Sequence, residues 1–129
     1  MSAKKRPITL EGKTIKVPTS CGNIFITLNK NGNGEFQEVR IMLGKSGSCQ
    51  RGMLEYIGIL MSIYLQTDTD TDEKISTIRR HCQDINCGQM FVWENEKYQS
   101  CLDLVAELCL EELEAEKEAE KKKKKEISK

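Results

Sequence analysis

The sequence predicts an α+β fold, in which a small antiparallel sheet from the N-terminal half is packed by two to three helices, with a charged C-terminal helical tail. Apolar and polar residues alternate in the segments before residue 43, whereas apolar residues recur every three to four positions after residue 49. From residue 111 onward the chain is almost entirely Glu, Lys and Ala. At 129 residues the chain therefore forms one domain, residues 7–113, between a disordered N-terminus, residues 1–6, and a charged tail, residues 114–129.

Three extended segments account for the predicted sheet. Residues 7–17 alternate around a turn at residues 11–13, residues 24–28 are rich in β-branched and aromatic side chains, and residues 36–43 alternate again. Between the last two segments, residues 29–34 contain two Asn-Gly pairs. Because Asn-Gly is the strongest short hairpin signal, we expect an antiparallel hairpin there.

Two helices follow. The first runs from Cys49 to Leu65 and is apolar nearly all round, so we expect it to be covered on several sides, by the sheet and by the last helix or a second subunit. This composition predicts a homo-oligomer. The second begins after the acidic loop at residues 67–73, where carboxylates suit a helix N-terminus, and ends near residues 83–86.

The last part of the chain predicts a short extended segment at residues 89–93, a turn at residues 94–97 and a third helix. Ser100 is a good N-cap, and Asp103 completes a capping-box-like pair. Past Leu113 the apolar pattern ends, and we expect the remaining residues to bury nothing.

Composition excludes several functional classes. A formal net charge of zero argues against binding to duplex nucleic acid, which needs a basic face. No apolar run is long enough to cross a membrane, and no apolar core follows the basic start, so we expect no signal peptide and a cytoplasmic protein of a bacterial host cell. The one histidine, His81, has no arrangement that favours nucleophilic catalysis, and no paired carboxylates lie in an apolar setting, so we predict that the chain is not an enzyme.

The junction between the third strand and the first helix is the predicted ligand site. A glycine-rich turn that enters a helix N-terminus presents backbone N–H groups, and the helix dipole favours an anion there. Val39 stands where a P-loop requires glycine, which excludes an NTPase motif, and a purely structural tight turn is the alternative. Cations would come from this junction and from the end of the second helix. The candidate ligand-binding residues are Gly44, Lys45, Ser46, Gly47, Ser48, Arg51, Arg79, Arg80, Phe91 and Trp93.

Phe91, Trp93 and Tyr98 form a cluster in a chain that has three Phe, three Tyr and one Trp. Aromatic side chains beside glycine and asparagine can stack on a nucleotide base. The same side chains can instead cap the core beneath a loop, and the sequence leaves both interpretations open.

Four blocks of the chain resemble the TSCPD domain family. The blocks occur in family order and are residues 18–27 (PTSCGNIFIT), 43–49 (LGKSGSC), 84–87 (DINC) and 100–103 (SCLD). The family includes the C-terminal domain of adenosylcobalamin-dependent ribonucleotide reductases and free-standing copies in bacterial and phage genomes. This sequence departs from it at Gly22, where proline often follows the first cysteine, and in the aromatic segment at residues 88–99.

The resemblance implies a role for four of the six cysteines. The recurring cysteines of the family fall on Cys21, Cys49, Cys87 and Cys101, which implies either one metal site, with zinc as the metal, or redox partners. Cys82 and Cys109 lie outside the blocks, and we expect them to be ordinary helix-face residues.

Three functions follow from these observations. The first is a non-enzymatic binding module without a cofactor that holds a nucleotide-like anionic small molecule at residues 44–49, in a phage-type protein that sequesters a nucleotide immune signal. The alternative is a cysteine-based metal or redox accessory domain related to ribonucleotide reduction. A protein–protein inhibitor or adaptor is the second alternative.

Overall fold

A computed structural model describes residues 7–19, 21–44, 49–88 and 90–127, with side chains up to residue 124. It confirms the predicted α+β class, with a three-stranded antiparallel sheet in the N-terminal half and three helices. The elements in chain order are β1 (Glu11–Thr19), β2 (Gly22–Lys30), β3 (Phe36–Leu43), α1 (Cys49–Leu65), α2 (Thr71–His81), β4 (Phe91–Trp93), β5 (Glu96–Tyr98) and α3 (Cys101–Ile127).

The main sheet is an antiparallel meander in the order β1-β2-β3. Ile15, Ile26 and Ile41 are direct neighbours across the three strands, so their side chains share one face. That face is the core face, since Ile26 is fully buried and Ile41 is nearly so. The three segments that the sequence predicted to be extended thus correspond to the three strands of this sheet.

Helix α3 is the central element of the core. From Cys101 to Leu113 nearly every residue of α3 is buried, and α2 packs along it while the core face of the sheet lies against it. Leu104 and Leu108 on one side of the helix are buried, and so are Val105, Cys109 and Leu113 on another. A helix enclosed on several sides buries more than one stripe.

Helix α1 runs along the free edge of β3 rather than inside the core. Its buried residues form one narrow line of Leu54, Gly58, Ser62 and Leu65. A Cβ on Gly58 would lie 3.1 Å from the backbone O of Val39, so glycine permits the close approach. The sheet therefore covers one side of α1, while its outer face is exposed and is not covered by the last helix; cover by a second subunit stays a prediction.

Strands β4 and β5 form a separate two-stranded hairpin. The sequence analysis assigned residues 94–97 to a turn and missed β5. The turn itself consists of Glu94 and Asn95, which have positive φ angles of 49° and 65°. Two residues in this conformation match the twist of the flanking strands, so the chain pairs immediately on either side.

The charged tail continues α3 as far as Ile127. The expectation that nothing is buried beyond Leu113 is wrong at Glu116, which is 5% exposed. Its carboxylate reaches both the sheet and the start of α2. None of the described helices is long and apolar enough to cross a membrane.

Candidate functional site

The turn between β1 and β2 positions Cys21 at one end of the sheet. The Thr19 hydroxyl accepts a hydrogen bond from the N–H of Cys21 at 3.1 Å and donates one to the carbonyl of Gly22 at 2.8 Å. Gly22 has a φ of 119°, which a residue with a side chain rarely adopts. That requirement accounts for glycine where proline is common in the family. Cys21 is therefore held in a defined place and is partly exposed.

The start of α3 lies at the same end of the sheet. The predicted capping residues are confirmed, since the N–H of Asp103 donates to the Ser100 hydroxyl at 3.1 Å. The Asp103 carboxylate accepts from the N–H of Gln99 at 3.1 Å and from the N–H of Asp84 at 2.9 Å. One aspartate thus joins the helix start to the loop that follows α2.

That loop brings Cys87 to the start of α3. The N–H of Cys87 donates to the carbonyl of Gln99 at 3.4 Å, and its sulfur lies 3.7 Å from the same oxygen. Gly88, at a φ of 80°, turns the chain directly afterwards. Cys87 is consequently an exposed cysteine held against Gln99, the residue before the α3 N-cap Ser100, and lies near Cys101.

The sulfur of Cys101 is the centre of a thiol cluster. Its S–H donates to the Thr19 hydroxyl at 3.4 Å, and the same hydroxyl accepts from the Cys21 N–H, so the Cys101 thiol lies beside Cys21. Burial raises the pKa of Cys101, the Thr19 hydroxyl acts to lower it, and the nearby Cys21 and Cys87 raise it further. Three of the four cysteines that the family resemblance singles out are therefore neighbours in space.

The fourth, Cys49, is exposed at the first position of α1. Zinc is the metal that a set of four thiolates suits best. However, no group of three or more His, Cys, Asp and Glu side chains could hold a metal ion within the parts of the chain that the structure describes. The donor set is chemically suitable for zinc, but the described side chains do not form a closed set of ligands.

Cys82 and Cys109 do not belong to the thiol cluster. Cys109 is fully buried on α3, and Cys82 is partly buried at the end of α2. Burial raises the pKa of both thiols. Both are therefore protonated core residues, as the sequence analysis expected.

The predicted anion site is only partly within the described chain. Lys45, Ser46, Gly47 and Ser48 lie outside the described residues. The N–H of Gly44 donates to the carbonyl of Asn23 at 2.8 Å, so this group is engaged in the sheet. The prediction of an anion site at this junction stays a prediction.

The arginines proposed for that site have other neighbours. Arg51 lies 3.5 Å from Glu55 on the same helix, and Arg79 lies 2.7 Å from Glu114 on α3. Gly44 pairs with Asn23 next to the Cys21 turn, which lies at the Cys101 end of α3. Glu114 is thirteen residues beyond Cys101, or about 20 Å along the helix from that end. Arg80 lies beside Arg79 in a shallow pocket with Lys117 of α3. The structure therefore does not bring Arg79 and Arg80 to the junction at Gly44.

The aromatic segment packs against the protein. Phe91 stacks on Tyr98 with ring centroids 5.6 Å apart, and both rings are partly buried against the core together with Trp93. This arrangement uses the Phe91 ring in a cross-strand pair and agrees with the core-capping interpretation. Base stacking by Phe91 and Trp93 stays a prediction.

An apolar groove of about 610 Å³ lies between the outer face of the sheet and one flank of α1. Its apolar lining comes from Phe25 and Met42 on the sheet and from Ile59 and Ile63 on the helix. Of the ionic groups in its lining, Arg40 Nε lies 3.2 Å from Glu38, and Glu55 lies 3.5 Å from Arg51 of the same helix. No local sequence pattern predicts this groove, because it depends on how α1 docks on β3.

Comparison with known proteins identifies a matching family model. A family model described as TSCPD domain matches residues 1–113. No curated protein and no solved structure is significantly similar to the chain. The match spans the thiol cluster and ends before most of the charged helical extension.

Proposed function

Because this chain belongs to the TSCPD domain family, we propose that it is a thiol-based accessory domain in which Cys21 and Cys101 form a reducing dithiol pair for a partner enzyme. The observation that carries the proposal is that Cys21 and Cys101, eighty residues apart in the sequence, meet at Thr19, whose hydroxyl lies 3.1 Å from the Cys21 N and 3.4 Å from the Cys101 sulfur. Two thiols in contact can form one disulfide and supply two electrons.

The two cysteines have different surroundings, which suggests different tasks. Cys21 is partly exposed at a hairpin turn, whereas Cys101 is 7% exposed beneath it. A disulfide of a partner can therefore approach the sulfur of Cys21 but not that of Cys101. Cys21 is the attacking residue and Cys101 the resolving residue in this proposal.

The exchange balances without any further reactant. The Cys21 thiolate attacks one sulfur of the partner's disulfide, that S–S bond breaks, and the other partner sulfur leaves as a thiolate and takes up a proton. Cys101 then loses its proton and attacks the Cys21 sulfur, which forms a Cys21–Cys101 disulfide and releases the second partner thiol. The partner gains two electrons, and a dithiol reductant of the host restores the pair.

The surroundings of Cys101 suit the second step. Burial raises its pKa, so it stays protonated until Cys21 has formed the mixed disulfide. The Thr19 hydroxyl, 3.4 Å from its sulfur, can turn from the Gly22 carbonyl and donate to the thiolate when it forms. The class of partner comes from the family resemblance, which implies ribonucleotide reduction, a reaction that consumes two electrons per product.

The test is disulfide mapping of the full chain equilibrated in a series of glutathione redox ratios and quenched by alkylation. A Cys21–Cys101 linked peptide is expected at the oxidising end, lost in Cys21→Ser and Cys101→Ser and retained in the control Cys82→Ser. With glutathione disulfide, Cys101→Ser is expected to accumulate a mixed disulfide at Cys21, because the resolving thiol is gone. Absence of the linkage at every ratio would overturn the proposal.

Native mass spectrometry of the purified protein separates the other functions. If the purified protein holds stoichiometric zinc and Cys21→Ser loses it, the metal site that the family resemblance implies is favoured over the redox pair. A metal-free, redox-inert protein whose melting temperature rises with cyclic or ADP-ribose-type nucleotides would favour the nucleotide-binding module.

A further inference from the structure

Helix α1 has an apolar face that the rest of the described chain leaves uncovered. Five large side chains on this helix are between 49% and 64% exposed: Met53, Tyr56, Ile59, Leu60 and Ile63. At 100° per residue they lie on one arc of the helix together with Cys49 and Gly52. Exposed apolar residues on a monomer are usually scattered, so a continuous arc indicates an interaction surface.

The charges of α1 lie on the opposite flank. Among its seventeen residues, all of which the structure describes, the charged ones are Arg51 and Glu55, and these lie 3.5 Å apart near the sheet. A helix with one face exposed to solvent normally carries its charged residues on that face. Here the outward arc has none, which is the pattern of a helix with a second apolar neighbour.

The spacing of the arc matches helix–helix packing. Residues 49, 56 and 63 are seven apart, and residues 52, 53, 59 and 60 lie three or four positions from them. This is the heptad repeat of two helices that pack side by side at a shallow angle.

The same spacing is symmetric about Tyr56, and from this we propose that the outer face of α1 is a two-fold homodimer interface in which two α1 helices pack antiparallel. A two-fold axis at Tyr56 places residue 56 against residue 56 of the partner subunit. A residue a given number of positions before 56 then lies opposite the residue that number of positions after 56 in the partner subunit. Gly52 then faces Leu60 of the partner subunit, and Met53 faces Ile59 of the partner subunit. An interface between identical copies requires such self-complementarity, and no other occupant does.

The pairing is complementary in size. A Cβ built on Gly52 meets no atom within 4 Å, so the backbone there is open to a large neighbour. Leucine at position 60 is such a neighbour, and the two-fold axis provides this small-to-large contact twice. The two Tyr56 rings meet at the centre, where aromatic side chains contribute most to interfaces.

The area is sufficient for a stable dimer. Five side chains of this size, about half exposed, together with the adjacent Met42 of β3, present on the order of 600 Å² on each copy, and thus about 1,200 Å² in the dimer. Specific interfaces begin at about this size. The interface also lies beside the apolar groove of α1 and β3, which it would partly close.

The test is sedimentation velocity of the full chain at micromolar concentration in a reducing buffer, which keeps the cysteines out of the result. The wild-type chain is expected to be a dimer. Tyr56→Glu is expected to weaken association roughly 30-fold or more, since a central aromatic residue is replaced by a buried charge. Val92→Glu, an exposed apolar residue on the β4–β5 hairpin, is the matched control and should leave the dimer intact.

A residue swap tests the geometry itself. Gly52→Leu places two leucines against each other and is expected to weaken the dimer, while the open space at Gly52 and the higher helix propensity of leucine keep the monomer folded. Adding Leu60→Ala to the same chain restores the small-to-large pair and should restore association. A monomeric wild-type chain, a dimer indifferent to Tyr56→Glu, or a swap without recovery would each overturn the proposal. None of these outcomes bears on the disulfide mapping above.

Discussion

Glu116 of α3 accepts a hydrogen bond from the backbone N–H of Phe36, at 2.6 Å, although eighty residues separate them in the sequence. The other carboxylate oxygen accepts from the Thr71 hydroxyl at 2.7 Å. One side chain from the charged extension therefore joins the first residue of β3 to the first residue of α2. This contact makes the start of that extension part of the domain.

Glu116→Ala is expected to lower the free energy of unfolding by about 1–3 kcal/mol, because it leaves a buried backbone N–H without its partner. Urea denaturation measures the change. Glu118→Ala is the matched control, since Glu118 is exposed on the same helix and its replacement should be neutral within experimental error. Equal effects of the two substitutions would contradict the role assigned to Glu116.

Asp103→Ala is expected to weaken the start of α3 and the thiol cluster together. The carboxylate holds the N–H groups of Gln99 and Asp84, and losing both contacts should cost about 1–3 kcal/mol of unfolding free energy. Since these contacts position Cys87 and Cys101, formation of the Cys21–Cys101 disulfide should also need a more oxidising buffer. Loss of stability with no change in that redox midpoint would show that Asp103 is structural alone.

The neighbouring residues Glu111 and Glu112 should have opposite effects on the pH dependence of stability. Burial acts to raise the pKa of Glu112, but hydrogen bonds from Lys30 and Lys13 prevail and lower it below its ordinary value of 4.5. A lowered pKa adds stability that is present above pH 4.5 and is lost as the pH falls through the folded-state value. Glu112→Gln should therefore destabilise the protein at neutral pH and flatten the loss of stability in acid.

Glu111 provides the comparison on the same turn of α3. Burial and the nearby Glu107 raise its pKa above 4.5, so its ionised form is less favourable in the folded state. This penalty is absent in acid and appears as the pH rises through 4.5, so Glu111→Gln should increase stability at neutral pH. Thermal unfolding measured from roughly pH 3 to pH 7 checks both variants, because this range brackets the ordinary pKa of a carboxyl group. A change in stability at neutral pH of the same sign in Glu111→Gln and Glu112→Gln would contradict the opposite pKa shifts assigned to these two residues.

Ser62→Ala should loosen α1 from the sheet. The Ser62 hydroxyl lies 3.0 Å from both the N and the O of Val39, so it pairs with the backbone at the open edge of β3. Removing it leaves buried backbone groups without partners, at a cost of about 1–3 kcal/mol. Hydrogen exchange at the Val39 amide should accelerate in this variant. An unchanged rate there would mean that α1 does not protect the edge.

Local patterns predicted the elements that depend on neighbouring residues. The alternation of β2 and β3, the Asn-Gly loop between them and the Ser100–Asp103 cap each follow from side chains within a few positions, and the structure has all three. Strand β5 was missed because its three residues are too few for a pattern, and the positive φ angles of Glu94 and Asn95 have no strong sequence signal. The family resemblance, rather than any spacing, singled out the cysteines of the cluster.

What the sequence alone determined is therefore the three strands of the main sheet, the three helices and the family. Only the tertiary structure decided that α3 fills the core while α1 lies along the edge of β3, because both helices are apolar enough for either place. It also decided which distant residues meet: Cys21 with Cys101, and Phe36 with Glu116. Such contacts depend on how the helices dock on the sheet, and no local pattern encodes the partner of a residue eighty positions away.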